Sequence, residues 1–133
     1  MWLLKTEPEA YSYEDLERDG WARWDGVANP VAQRNLRAMR EGDRVFVYHT
    51  GNQKAVVGVA EVVKPAYPDP ADDDSRLVVV DLEPRRRLAR PVPLSEIKAL
   101  AEFALSPLLR QGRLSVVPIT PDQWKAVESR GRQ

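Results

Sequence analysis

Apolar residues along the chain come in short bursts cut by turn residues. The run Trp2-Leu3-Leu4, followed by Lys5-Thr6 and halted by Glu7-Pro8, predicts a first strand. Ser12 stands three residues before Asp15, the spacing at which a hydroxyl and a carboxylate cap a helix start reciprocally, so a short acidic helix is predicted over Tyr13–Glu17. Trp21–Gly26 reads as a tryptophan-rich loop. Asn29-Pro30 then predicts a second helix, with asparagine as cap and proline at the first helical position. Within it Val31, Arg34, Asn35 and Ala38 recur at helical spacing, Leu36 and Met39 supply the apolar stripe, and Gly42 closes the helix.

The second half alternates differently. Glu41-Gly42-Asp43 is a turn signal, and Arg44–Thr50 after it is β-branched and aromatic, which predicts a strand ending in Tyr48, His49 and Thr50. After a Gly51-Asn52 turn, Val56–Val63 is a long apolar strand in which Gly58 marks a bulge or a close backbone approach. Tyr67–Asp74 is rich in proline and acid and reads as an exposed loop. Leu77–Leu82 is another strand, and Arg85–Arg90 either continues or leaves it. Leu94–Leu100 begins a helix, Pro107 interrupts the chain beyond it, Arg113–Pro118 is a last strand, and Thr120-Pro121 opens a terminal helix to about Ser129. At least five strands with short helices, and no regular strand–helix alternation, predict an α+β fold. Its expected form is a mostly antiparallel sheet or small barrel with peripheral helices, a single domain over residues 1–133.

Charge and composition narrow the chemistry. Twenty basic and twenty acidic residues cancel, so there is no global pull toward a polyanion, and any attraction of that kind has to come from a local basic face. Without cysteine, thiolate metal sites, cysteine nucleophiles and disulfides are out, and a single histidine, His49, cannot build a multi-histidine site. The run Asp72-Asp73-Asp74 reads as a solvated loop rather than a metal site, and neither metal nor cofactor is expected. The N-terminal apolar run is too short for a signal peptide or a membrane span, and the cytoplasm is the expected location. Phosphate loops, dinucleotide fingerprints and nucleophile elbows are all missing. No spacing supports a triad of His49 with Ser115 or Thr50.

Tryptophans and strand ends are the better lead. Trp24, close to Asp25, Gly26 and Asn29, either offers a flat face for stacking on a planar ligand or plugs one end of a barrel. Lys5-Thr6-Glu7 puts a cation, a hydroxyl and a carboxylate at one strand end, either as the donors and acceptors a nucleobase edge needs or as a polar turn. Arg34, Arg37 and Arg40 share a helix face and Arg85-Arg86-Arg87 with Arg90 form a second cluster; each either contacts phosphate or pairs with neighbouring acids.

Read together, Trp2–Pro8, Trp24–Val27 with Asn29, Arg34-Asn35, Gly42–Thr50, Val57–Val63, Ala66–Pro70 and Arg113–Pro118 resemble the EVE domain of the PUA-like superfamily, which includes the thymocyte nuclear protein family. These segments run in family order over nearly the whole chain. The resemblance implies a small mixed β-barrel with helices packed around it, and a noncatalytic binding module that takes a modified base, a modified cytosine in DNA ahead of RNA, into an aromatic pocket. By position that pocket draws on Lys5, Thr6, Trp24, Val27, Asn29, Tyr48, His49 and Thr50, with the base held between Trp24 and Tyr48. Arg34, Arg37 and Arg113 are the candidates to hold the backbone. The family commonly has an arginine after its Gly-Val pair, where this chain has Ala28, and Pro30 stands where many relatives have an aromatic residue. The alternatives are a binder of, or an enzyme on, a free nucleotide or similar planar ligand, and an RNA-binding accessory domain.

Overall fold

The computed structural model describes residues 1–73 and 76–132. Strand β1 (Trp2–Thr6) leads to α1 (Tyr13–Asp19), β2 (Ala22–Trp24) and α2 (Pro30–Ala38). Strands β3 (Arg44–His49), β4 (Ala55–Pro68) and β5 (Val78–Pro93) come next. The chain closes with α3 (Leu94–Lys98), a 3-10 turn (Ala101–Phe103), α4 (Pro107–Arg110), β6 (Val116–Pro118) and α5 (Pro121–Gly131). The strands make one six-stranded sheet in the order β2-β5-β4-β3-β1-β6. It is mixed: β1 runs parallel to β3, and every other neighbouring pair is antiparallel. The sheet curls into a half-barrel with short helices around it, in agreement with the expected PUA-like architecture.

The helix starts follow from capping chemistry. The Ser12 hydroxyl accepts from the Asp15 N–H while the Asp15 carboxylate accepts from the Ser12 N–H. Thr120 and Gln123 repeat this box at α5, and the Asn29 Oδ1 accepts from Val31 and Ala32 at α2. Helix α5 lays Trp124 on Phe46 of β3, with ring centroids 3.6 Å apart and planes 10° from parallel. These rings, with Leu3, Leu4, Val45, Val47 and Leu82, form the centre of the buried core.

Several elements depart from expectation. Trp21–Gly26 is not all loop: Ala22, Arg23 and Trp24 pair with Leu82, Asp81 and Val80, partners about sixty residues away whose pairing local composition does not encode. Arg85–Arg90 stays within the sixteen-residue β5, and Tyr67-Pro68 completes β4 instead of starting the loop. Helix α2 ends at Ala38, and Gly42 sits in the turn beyond it at φ +90°. Pro107 begins a helix rather than breaking one, because Ser106 accepts from the Leu108 N–H in front of it. Asp74 of the acidic run lies outside the described residues. Among the described residues no cluster of three or more His, Asp or Glu could hold a metal ion, and no helix is long and apolar enough to cross a membrane.

Gly58 is both things its sequence context allowed. Register shifts flank it, between Val47 and Tyr48 on β3 and between Val56 and Gly58 opposite β5. The Tyr13 ring also lies directly on it: a Cβ at position 58 would fall 2.5 Å from the ring. Seated there, Tyr13 donates its hydroxyl to the Val59 carbonyl (2.7 Å) and its N–H to His49 Nε2 (3.0 Å). At the far edge, β6 leaves the Val116 carbonyl to accept from Asn35 Nδ2 (2.8 Å) and ends in Pro118.

A Gly58→Ala protein is therefore expected to lose about 1–3 kcal/mol, the usual cost of forcing volume into a packed interior. In urea unfolding the midpoint should fall with an unchanged slope; a wild-type midpoint would show that α1 does not depend on this contact.

Candidate functional site

Beside the end of β1 the surface opens into a cleft of about 770 Å³. It is walled by Lys5, Thr6 and Glu7, by Ala10 and Tyr11 before α1, by Asp19, by Trp21–Val27, and by Ser115 before β6. Of the residues expected from sequence, Lys5, Thr6, Trp24 and Val27 meet here. Trp24 is held by β2 and is 7% exposed, so the ring is largely packed yet still contributes to the wall. The Tyr11 ring stands against it edge-on, 6.3 Å between centroids at 82°, while Trp21 at the rim is 49% exposed.

The polar groups are already oriented. The Thr6 hydroxyl donates to the Tyr11 carbonyl (2.7 Å), which ties the first strand to the aromatic wall and leaves that oxygen's lone pairs to accept. Lys5 Nζ donates to the Gly112 carbonyl (3.0 Å) and lies 5.8 Å from the Tyr48 ring centroid; burial pushes its ammonium below the ordinary 10.5. Tyr11 donates its hydroxyl to Asp19 (2.9 Å). Burial first, then the hydrogen bond to Asp19 and that carboxylate's charge, push the phenol up from 10.0 to about 12. The Asp19 carboxyl is in turn held below its usual range by Arg18 and then by Tyr11. Arg23 on the opposite wall is braced by the Tyr67 hydroxyl, which itself donates to Asp81.

The remaining expected residues lie elsewhere. Tyr48 is 4% exposed and does not line the cleft; a base in it would not be sandwiched between Trp24 and Tyr48, because Tyr48 lies beneath Lys5. His49 is buried behind α1: Nε2 accepts from Tyr13, so Nδ1 carries the proton and donates to Gln53 Oε1 (2.7 Å). With both nitrogens engaged, the ring positions α1 and presents nothing to the cleft. Thr50 donates to the Glu7 carboxylate (3.1 Å) and so steadies the end of the β1 turn. Asn29 and Arg113 face a smaller neighbouring groove, with Val31, Gln111, Gly112 and Leu114. Arg34 is exposed on α2, and Arg37 donates to the Arg76 carbonyl (2.7 Å).

Sequence reasoning missed Tyr11, Asp19 and Arg23 as cleft residues. Tyr11 sits immediately before the Ser12 cap and its side chain runs back along α1 to Asp19 at the helix end, so a large aromatic just outside a cap was the available signal. It missed Gln33 as well, whose buried amide donates to the Val27 and Val78 carbonyls and accepts from the Val78 N–H, fixing the cleft loop to β5. A glutamine on a helix facing apolar neighbours gives no such sign.

Comparison with known proteins matches the EVE domain model to residues 1–130. Mouse thymocyte nuclear protein 1 is 32% identical over 162 aligned positions, covering 96% of this chain and 72% of the relative. A solved structure from Rhodopseudomonas palustris is 40% identical with a TM-score of 0.92, covering 98% of this chain and 91% of the other. A crystal structure of the human THYN1 protein in complex with 5-methylcytosine-containing DNA is 30% identical with a TM-score of 0.91, covering 99% and 97%.

The Tyr11–Asp19 bond can be tested by titration. Tyrosine ionisation followed in the ultraviolet, as the difference between wild type and Tyr11→Phe, should show a group titrating at about 12, and Asp19→Asn should bring it down toward 10.0. A phenol with a raised folded pKa favours the fold below its unfolded value. That contribution should fade as pH climbs from 10.0 through about 12. A difference titration centred at 10.0 in wild type would contradict the bond.

Proposed function

The chain belongs to the EVE domain family, and from that footing we propose that it is a noncatalytic nucleic-acid reader that accepts a modified base, a modified cytosine in DNA, flipped into the cleft beside Trp24. The observation that carries this reading is the cleft itself: about 770 Å³, with aromatic walls at Trp24, Tyr11 and Trp21 and a polar inner end at Lys5, Thr6 and Ser115. The volume falls in the range of small-molecule sites, roughly 300–1,000 Å³, and takes a nucleobase with its sugar. Support also comes from the human family member in complex with 5-methylcytosine-containing DNA.

The donor and acceptor balance fits cytosine. Glu7, Asp19, Asp25 and the Thr6 oxygen give the wall several acceptors, which suits a base that presents an exocyclic amine. Lys5 keeps N–H groups beyond the one given to Gly112 and can serve the carbonyl on the same base edge. A 5-substituent is small and apolar and would pack against the rings rather than seek a partner. Trp24 supplies the flat face, Tyr11 bounds it at nearly a right angle, and Val27 closes the apolar side. His49 and Tyr48 act from behind, as supports for α1 and for Lys5.

The test compares binding of labelled oligonucleotides carrying 5-methylcytosine or plain cytosine at one position, over a range of salt. Wild type should prefer the modified strand. Trp24→Leu, which keeps an apolar plug in the wall, should lose about tenfold or more in affinity, since base–aromatic stacking is worth about 1–3 kcal/mol. Because Trp24 is largely packed, the variant also melts lower, so binding is compared well below its melting temperature with the native fold checked by circular dichroism. Equal binding of both strands by wild type would end the modified-base reading, and affinity indifferent to salt would favour a free planar ligand over a polymer.

A further inference from the structure

Zero net charge conceals a strong separation of charge. Residues 26–40 and 103–121 contain no aspartate or glutamate at all, yet they carry Arg34, Arg37, Arg40, Arg110 and Arg113. Everything else in the chain therefore holds all twenty acids against fifteen of the twenty bases. One part of the molecule is five charges positive, and the remainder is five charges negative.

The fold puts the two acid-free segments side by side. Asn35 of α2 donates to the Val116 carbonyl of β6, and Asn29 and Val31 line one groove with Gln111–Leu114. Arg34 lies one helical turn beyond Val31, while Arg110 ends α4 and Arg113 sits in the exposed turn closed by the Leu114 N–H on the Gln111 carbonyl. The result is a single basic face with no carboxylate of its own.

Ion pairing deepens the contrast. In the Arg85–Arg90 cluster, Arg85 pairs with Glu61 and Glu83, Arg86 with Glu128, Arg87 with Glu14 and Glu17, and Arg90 with Glu96. Those cations are locally neutralised. Arg34, Arg110 and Arg113 are exposed and have no carboxylate or other side-chain partner among the described residues. The Asn29 amide adds a donor, since only its oxygen is used in capping.

This face also borders the cleft from two sides. Gly112 accepts from Lys5 of the cleft, Ser115 lines it, and Val27 leads from its wall into Asn29. We propose that the phosphate backbone of the strand whose base enters the cleft runs across the acid-free face, held by Arg113, Arg34 and Arg110, and that the Arg85–Arg90 cluster takes no part. This rests on the nucleic-acid reading above and deepens it by giving the strand a path. It also explains how a chain of zero net charge holds a polyanion: attraction is local, and the acidic remainder turns the molecule the right way round.

The experiment measures the salt dependence of oligonucleotide binding for wild type, the triple variant Arg34→Gln/Arg110→Gln/Arg113→Gln, and the control Arg86→Gln/Arg87→Gln. All of these positions are exposed, so circular dichroism should show native folding throughout. The triple variant should flatten the slope of log K against log salt by about 1 for each lost contact. Its affinity should fall at least tenfold at low salt, while the control keeps the wild-type slope. The ratio of modified to plain cytosine binding should survive in the triple variant, because phosphate contacts carry no base information. If wild type binds with preference for the modified base but the triple variant keeps the full slope, or the control loses it, the path is wrong and the reading of the cleft stands. If wild type binds no oligonucleotide, the reading itself falls and the path with it.

Discussion

The architecture turns on a side chain that is missing. With only hydrogen at position 58, β4 lets the Tyr13 ring lie flat against its backbone, and three separate contacts depend on that seat. The hydroxyl reaches Val59, the N–H reaches His49, and the ring covers the bulge where β3 and β4 slip register. Because Tyr13 is the first residue of α1, its position decides where the preceding residues run, and one of them is Tyr11. The aromatic wall of the cleft is thus set by how α1 docks on β4. Any account of ligand recognition here starts with how α1 is docked, and only then with what the cleft walls present.

Local rules were readable in the sequence wherever the determining partner lay within a few residues. Ser12 with Asp15, Asn29 with Pro30, and Thr120 with Pro121 gave correct helix starts because a cap and its first helical residues lie within a few positions of each other. Strands defined by distant partners were harder: β2 exists because Leu82 and Val80 lie beside it, and β5 keeps its arginines because glutamates on α1, β4 and α5 meet them. The same line divides the site. Lys5, Thr6, Trp24 and Val27 reach the cleft from positions the motifs marked. Tyr48 and His49 looked equivalent at a strand end, but Lys5 covers one and the Tyr13 amide recruits the other across thirty-six residues of chain. No short-range signal reports such a capture.

Charge obeys a related logic. A sum over the chain treats every arginine alike, whereas the structure separates arginines that have found carboxylates from those that have not. An exposed pair adds little to stability, on the order of 0–1 kcal/mol, so the pairing on β5 is better viewed as shaping the outer field than as holding the fold. Arg34, Arg110 and Arg113 are among those left uncompensated, Arg113 lines the groove next to the cleft, and groove and cleft meet at the Gln111–Ser115 segment.

A half-barrel must also finish somewhere, and β6 shows how. An outer strand offers its unpaired backbone groups to any passing chain of like form. Here the outward Val116 carbonyl is already occupied by Asn35, and Pro118 has no N–H to give. A neighbouring molecule that tried to extend the sheet would meet one spent acceptor and one absent donor. The edge formed by β6 is therefore a poor template for a further strand, whether of this chain or of another.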